Sequence, residues 1–323
     1  MYQDQALDLE KQFTAALKSI ARRSDLKSYV EQTPQLNRIL RHAAARFVTG
    51  EARQDGLDAG QKLIAKGYAI SLEYIGENTT DASECEAAVK EMMTLIDDFG
   101  QKGTPARVSF DLSHIGLSLD TELAFSNLMK LAEQAQRAGV ELFISMEESS
   151  KTGQILSVYK RAASIYPNVG ITLQAQLKRT PQDLAMLASP CRVRIVKGAY
   201  QESDDRSIPR SPALNERYVE LVESSIRQGH FVSIATHDEQ IIKTLLDQGL
   251  TGSNIEFEML YGIRPDLSSR LKAAGHPVRI YLTYGQEWYL YLCHRIAEYP
   301  PNLFQAVIDL VSNEEIEPVQ SYN

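Results

Sequence analysis

Short apolar runs and longer amphipathic stretches alternate along most of this chain. The runs Ala69–Tyr74, Val108–Leu112, Leu142–Met146, Ile171–Ala175, Val193–Val196, Phe231–Ala235, Ile255–Leu260 and Val278–Tyr281 are rich in Val, Ile and Phe. Such runs mark strands buried on both faces. Between them, helical periodicity covers Ala82–Phe99, Asp120–Ala138, Gly153–Ala163, Pro212–Arg227, Glu239–Asp247 and Pro265–Ala273. Start signals accompany several of these, among them Asp120-Thr121-Glu122 and Thr180-Pro181, with Pro at a first helical position. Gly139 and Gly249 stand where helices should end.

Residues 1–65 are helical in pattern and charged. Thr33-Pro34 reads as a break between a first helix, Gln5–Ile20, and later ones at Gln35–Arg46 and Gly56–Ala65. Eight strands alternating with eight helices predict an α/β fold, a distorted (β/α)8 TIM barrel over residues 66–312, preceded by the N-terminal helical arm, 1–65. A doubly wound sheet is the main rival, but neither GxGxxG nor GxxxxGK[ST] occurs. Residues 313–323 read as a polar, loose tail.

Composition narrows the function. The chain has 323 residues, 43% hydrophobic and 24% charged, an ordinary soluble balance. A net charge of −8 argues against nucleic acid, which needs a basic face. No apolar run approaches the roughly 20 residues of a spanning helix. The first residues, MYQDQALDLEKQF, are polar and acidic, which speaks against a signal peptide. Cys85, Cys191 and Cys293 are widely spaced and read as reduced thiols of a cytosolic protein. No HExxH pair or other metal spacing is present.

In a barrel of this kind, functional groups gather at the C-terminal ends of the strands. Reading those ends gives Glu73 and Glu77, Asp111 and His114, Ser145 and Glu147, Gln174 and Gln176, Lys197 and Tyr200, Thr236 and His237, Glu258 and Tyr261, then Tyr281. Arg194 and Lys197 flank Ile195-Val196 on a buried strand, so they are expected to face an anion or an electron-rich ring. Gly198 would let that ligand approach the backbone closely. After the last strand, Thr283-Tyr284-Gly285 reads as a turn, followed by a helix to Glu298 that Pro300 and Pro301 stop. On it Trp288, Tyr291, Arg295 and Glu298 fall at helical spacing and are expected to share one face.

VRIVKGAY (193–200), SIATHD (233–238), EFEMLYGIR (256–264) and RIYLTYGQEWYLYLCHRIAE (279–298) resemble the proline dehydrogenase family. SLEYIGE (71–77), VSFDLSHIG (108–116) and ISMEES (144–149) extend the resemblance over roughly residues 65–310. It implies an FAD-binding distorted barrel that oxidises L-proline to Δ1-pyrroline-5-carboxylate by hydride transfer to flavin N5. The acceptor it implies is a membrane quinone. It also implies a cytoplasmic protein, either free or loosely attached at the inner membrane surface. By the same resemblance Arg194 lies near flavin N5 and Gln174 near the ring's polar edge. Val196, Lys197 and Gly198 carry the isoalloxazine, and Thr236, His237 and Glu298 contact the cofactor. Tyr200, Tyr281 and Tyr291 enclose the proline ring, and Arg295 clamps the substrate carboxylate, a task that suits a planar guanidinium.

Three positions depart from that pattern. His294 stands where the family has the first of two adjacent arginines. Asp111 stands where it has Lys, and Ser145 where it has Asp. The substrate expected by family is proline. A proline-related cyclic amine altered at its carboxyl group is the alternative within the same chemistry. A flavin-binding barrel without turnover is the reading from another class, and bleaching of a bound flavin by a cyclic amine separates it from an enzyme.

Overall fold

The computed structural model describes residues 23–103, 106–298 and 317–323, with scattered positions in 9–20 and 302–308. Its centre is a closed barrel of eight parallel strands in sequence order: β1 (Ala69–Tyr74), β2 (Ala106–Phe110), β3 (Glu141–Ile144), β4 (Val169–Gln174), β5 (Arg192–Val196), β6 (Phe231–Ala235), β7 (Ile255–Leu260) and β8 (Val278–Tyr284). β8 pairs back onto β1, from Ala69 opposite Arg279 to Tyr74 opposite Tyr284. That pairing draws Thr283 and Tyr284, expected in a turn, into the strand.

The strands are buried on both faces, but the two faces differ in kind. Ile70 and Leu72, Val108 and Phe110, Val193 and Ile195, and Ile280 and Leu282 belong to the apolar shell between sheet and helices. The alternate positions include Ser71, Arg107, Ser109, Thr172, Arg194, Ser233, Glu258 and Arg279, all buried and polar. A barrel interior is commonly filled by branched apolar side chains. Here it holds an ionic lattice. Arg107 pairs with Glu141 at 2.9 Å, Glu256 at 2.9 Å and Glu258 at 3.1 Å. Arg279 reaches Glu256 at 3.0 Å. Buried charges persist where they are paired and hydrogen-bonded, and this lattice meets that condition.

The helices are α1 (Ser24–Gln32), α2 (Pro34–Ala44), α3 (Arg53–Ala65), α4 (Ala82–Gln101), α5 (Thr121–Ala138), α6 (Thr152–Ala163), α7 (Thr180–Ala185), α8 (Pro212–Arg227), α9 (Glu239–Asp247), α10 (Pro265–Ala273) and α11 (Trp288–Glu298). The break between α1 and α2 falls at Thr33-Pro34. Most of the expected helix Gln5–Ile20 lies outside the described residues.

α3 lies against both β1 and β8, filling the outer position where a helix after β8 would stand. Two glycines permit the close approach. A Cβ on Gly56 would meet Leu72 at 2.9 Å, and one on Gly60 would meet Ile70 at 2.7 Å. By packing, α3 therefore belongs to the barrel wall and not to a separate arm. α11 is displaced from the wall and packs against α2 instead. Val30 and Ala44 from the first two helices, with Phe47 and Val48 just after them, form one cluster with Trp288, Leu292 and Ile296. Lys27 pins the start of α11 through Glu287 at 2.6 Å.

The end of the chain, expected to be loose, is packed over residues 317–323. Tyr322 is fully buried, stacks on Tyr261 with centroids 6.2 Å apart, and its hydroxyl accepts the Gly262 N–H at 2.9 Å. Lys66 donates to the Tyr322 carbonyl, and the Tyr68 hydroxyl to the Asn323 carbonyl at 2.9 Å. The segment looked polar because one aromatic carries most of its docking. No helix among the described residues is long and apolar enough to cross a membrane.

Candidate active site

A cavity of about 580 Å³ opens at the C-terminal ends of the strands. Arg194, Tyr200, Tyr281, Tyr291, Arg295, His294, Asp111, Gln174, Val196, Lys197, Gly198, Thr236 and His237 all line it. The side chain of Glu298 lies outside the described residues.

Arg194 sits at its floor. Its Nε and Nη2 donate to the two oxygens of Glu258 at 2.7 and 2.8 Å, a bidentate fork. Nη2 also reaches Ser109 at 2.9 Å, and Nη1 reaches Thr172 at 3.3 Å. The guanidinium lies 4.8 Å from the ring centroids of both Phe143 and Tyr281. The anion and the rings it was expected to face are thus groups of the protein itself. The sequence named Glu258 as a strand-end residue, but its pairing with Arg194 appears only when the barrel closes.

One flank of the cavity is acidic. Glu73 accepts the Tyr281 hydroxyl at 2.8 Å, and Glu77 the Tyr200 hydroxyl at 3.2 Å. Burial pushes Glu73 up to about 7, against the opposing Tyr281 hydrogen bond and the fields of Arg194 and Arg295. Burial also raises Glu77, with Glu147 acting in the same direction. Asp111 is held well above the usual carboxylate range, first by burial and then by Glu147, Glu73 and Glu77. The cation near them, Lys151, lies against Glu147 at 2.7 Å and Glu148 at 3.0 Å. No ion pair of Asp111 occurs among the described residues, so it has not turned away to a cation.

The opposite flank is cationic and partly apolar. Lys197 pairs with Asp238 at 2.6 Å, Arg210 donates to the Gly198 carbonyl at 2.8 Å, and Arg264 holds Asp266 at 2.8 Å. Arg210 and Arg264 were missed by the strand-end reading because they stand further along the loops. His237 accepts the Leu260 N–H at Nε2, 3.0 Å away, and burial drops its pKa to about 3, so it is neutral. Gln174 donates to the Met146 and Glu147 carbonyls at 3.0 and 2.8 Å. It accepts from Gln176 at 3.2 Å. Gly198 has φ of 109°, and a Cβ there would meet the Gln176 side chain at 2.3 Å.

The roof comes from α11. Leu290, Tyr291, His294 and Arg295 line the cavity, and the Arg295 guanidinium lies 4.8 Å from the Tyr291 ring. The expected common face is split. Trp288 turns toward the arm, under Arg41 at 5.6 Å from its ring. α11 has two neighbours, the arm and the cavity, and its residues divide between them. His114 and Tyr261 do not line the cavity. His114 stacks on Tyr74 at 5.2 Å, and burial drops its pKa to about 4.

The residues present fit a flavin dinucleotide. Such a group needs a cation near the reactive ring, an apolar bed for the ring and cations for its diphosphate. Arg194, then Val196, Ala235 and Leu260, then Lys197, Arg210 and Arg264 supply these within the cavity lining.

Comparison with known proteins adds independent findings. The family model described as proline dehydrogenase matches residues 57–299. Proline dehydrogenase of Deinococcus radiodurans is 32% identical over 287 residues, covering 84% of this chain and 93% of its own. Proline dehydrogenase 1 of Bacillus subtilis subsp. natto is 31% identical over 267 residues, covering 81% and 88%. A crystal structure of proline utilization A from Bdellovibrio bacteriovorus, inactivated by N-propargylglycine, matches with a TM-score of 0.78 at 17% identity. The match covers 96% of this chain and 39% of that one, and speaks for a shared fold.

Proposed function

The chain belongs to the proline dehydrogenase family of oxidoreductases, and from that premise we propose that it is an FAD-dependent dehydrogenase of L-proline or a proline-related cyclic amine. The product is a Δ1-pyrroline-type imine, and the electrons pass to a quinone. The observation that carries this reading is convergence: every residue that the resemblance gave a role, and whose side chain is described, lines one cavity, together with the departing positions Asp111, Ser145 and His294.

When bound, FAD supplies the hydride acceptor, N5, for the carbon beside the amine nitrogen. The chain's own residues do the rest. Arg194, fixed by Glu258, Ser109 and Thr172, offers a positive charge that needs no reorganisation. Lys197, Thr236 and His237 would hold the cofactor's flank. Tyr200 and Tyr281, oriented by Glu77 and Glu73, join Tyr291 in enclosing the ring and excluding water. Arg295 and His294 cover the substrate from α11. Glu73, raised by burial to about 7, is partly ionised at neutral pH and so can exchange a proton within the site.

The purified protein should be yellow, release FAD on denaturation, and lose its flavin absorbance anaerobically when a cyclic amine is added. Colourless protein that takes up no added FAD overturns the reading. We place the enzyme in the cytoplasm, free or loosely attached at the inner membrane surface. An obligatory soluble acceptor, such as a partner flavoprotein, would count against the quinone assignment.

A further inference from the structure

Resting on the dehydrogenase reading above, the division of charge in the cavity leads us to infer a narrower substrate class. The cyclic amine oxidised here carries a hydrogen-bond donor beside its ring nitrogen, a carboxamide or an aminomethyl group, where a carboxylate would be an acceptor.

Three carboxyl groups, Glu73, Glu77 and Asp111, face the cavity from the ends of β1 and β2. Lys151 does not line it, and is held by Glu147 and Glu148. The phenols beside these acids do not soften the flank. Tyr281 gives its one proton to Glu73, and Tyr200 gives its to Glu77. Both therefore offer only lone pairs to a ligand. The floor cation, Arg194, is matched by both oxygens of Glu258. Lys197, on the far flank, is matched by Asp238. The field of the roof cation, Arg295, acts on Glu73 itself.

Of these three acids, Asp111 is the one with neither an ion pair nor a side-chain hydrogen bond among the described residues, and its elevated pKa agrees with that. From these three acids and two phenols, an entering carboxylate could receive only the proton of a neutral Asp111, so any further donor must come from the roof or from Ser145. An entering amide N–H or ammonium meets acceptors from Asp111, Glu77 and two phenols. With one acid ionised about 4 Å away and an effective dielectric near 20, a carboxylate is disfavoured by roughly a thousandfold. Ser145, beside Asp111 in the cavity lining, adds a small neutral group and no cation.

The test uses the full-length, FAD-loaded protein and four amines with the same ring: L-proline, L-prolinamide, (S)-2-(aminomethyl)pyrrolidine and pyrrolidine. Anaerobic flavin reduction is followed against concentration. The apparent second-order rate for the amide or the diamine should exceed that for proline by about 100-fold or more. Calorimetry gives a readout independent of turnover. Tetrahydrofuran-2-carboxamide, which has no ring nitrogen to oxidise, should bind more tightly than tetrahydrofuran-2-carboxylate. Asp111→Lys should bring proline up at least tenfold and the diamine down. Asp111→Asn, which keeps shape and removes the charge, should narrow the gap in the same direction.

Proline reducing the flavin as fast as both donors overturns the inference and leaves the dehydrogenase reading standing. So does pyrrolidine matching them, since the acids would then read only the ring nitrogen. An unchanged preference in both variants also overturns it. Loaded flavin that no amine reduces overturns the dehydrogenase reading and the inference together.

Discussion

Arg194 and Glu258 form the most consequential pair in the molecule. A lone guanidinium at the cavity floor would favour negative charge on a bound, reduced flavin. With Glu258 gripping two of its nitrogens, that influence is moderated. Glu258→Gln removes the moderating anion and should raise the flavin midpoint potential, on the order of 30 mV, read by spectroelectrochemistry. It also leaves Arg194 and Arg107 close together with less counter-charge, so stability should drop by about 3 kcal/mol, read by denaturant melts. Glu73 carries a pH signature. It ionises near 4.5 when unfolded and near 7 when folded. Between those values the folded state holds a proton that the unfolded state has lost. Its contribution to stability therefore declines as pH rises through that window and stays lost above it. Glu73→Gln should melt above the parent apoprotein at pH 8 and no higher at pH 4.5. The gain at pH 8 should be on the order of 1–3 kcal/mol, blunted because the side chain opens on the cavity.

At the scale of elements, the loop after β5 and the helix after β8 build the site. Gly198 lets the β5 loop turn inward with φ of 109° while Gln176 lies directly against it. Gln176 in turn donates to Gln174 and to the Tyr200 carbonyl at 3.1 Å. Gly198→Ala therefore strains the backbone and displaces the group that ties two cavity residues together. It should cost about 2 kcal/mol or more and weaken FAD retention, checked by melts and by titration of apoprotein with FAD. α11 depends on the arm for its position. Trp288 is buried with Phe47 and Val48 in the cluster between them. Trp288→Ala should cost about 3 kcal/mol. Because it loosens the roof that carries Tyr291 and Arg295, KM for the amine should rise more than kcat falls.

At the scale of the whole molecule, the barrel closes on paired charges and is sealed where β8 meets β1. α3 seals the β8–β1 seam from outside, and the C-terminal residues dock beside it through Lys66, Tyr68 and Gly262. Tyr322→Ala should lower stability by about 3 kcal/mol and leave the flavin spectrum unchanged, because Tyr322 does not line the cavity. Removing residues 317–323 should act in the same direction on melting. Two of these docking contacts join positions far apart in the chain, 256 residues for Lys66 and Tyr322 and 255 for Tyr68 and Asn323.

Periodicity and turn chemistry are local, and they settled what is local. β1, β6 and β7 lie where the apolar runs predicted them, and the motifs already brought together the residues of the cavity wall. Runs such as Ala69–Tyr74 carry an apolar outer face that must meet helices, so strand positions and barrel class follow from the chain alone. Which groups neutralise one another was a different matter. Arg107 with Glu258, Arg194 with Glu258, and Lys27 with Glu287 meet across the closed barrel or between arm and roof. No spacing along the chain encodes such a meeting. The same holds for α3 taking the outer place beside β8, for the division of α11 between arm and cavity, and for Tyr322 pinning the tail. Each depends on which surfaces remain uncovered once the barrel has closed, and that is a property of the assembled fold.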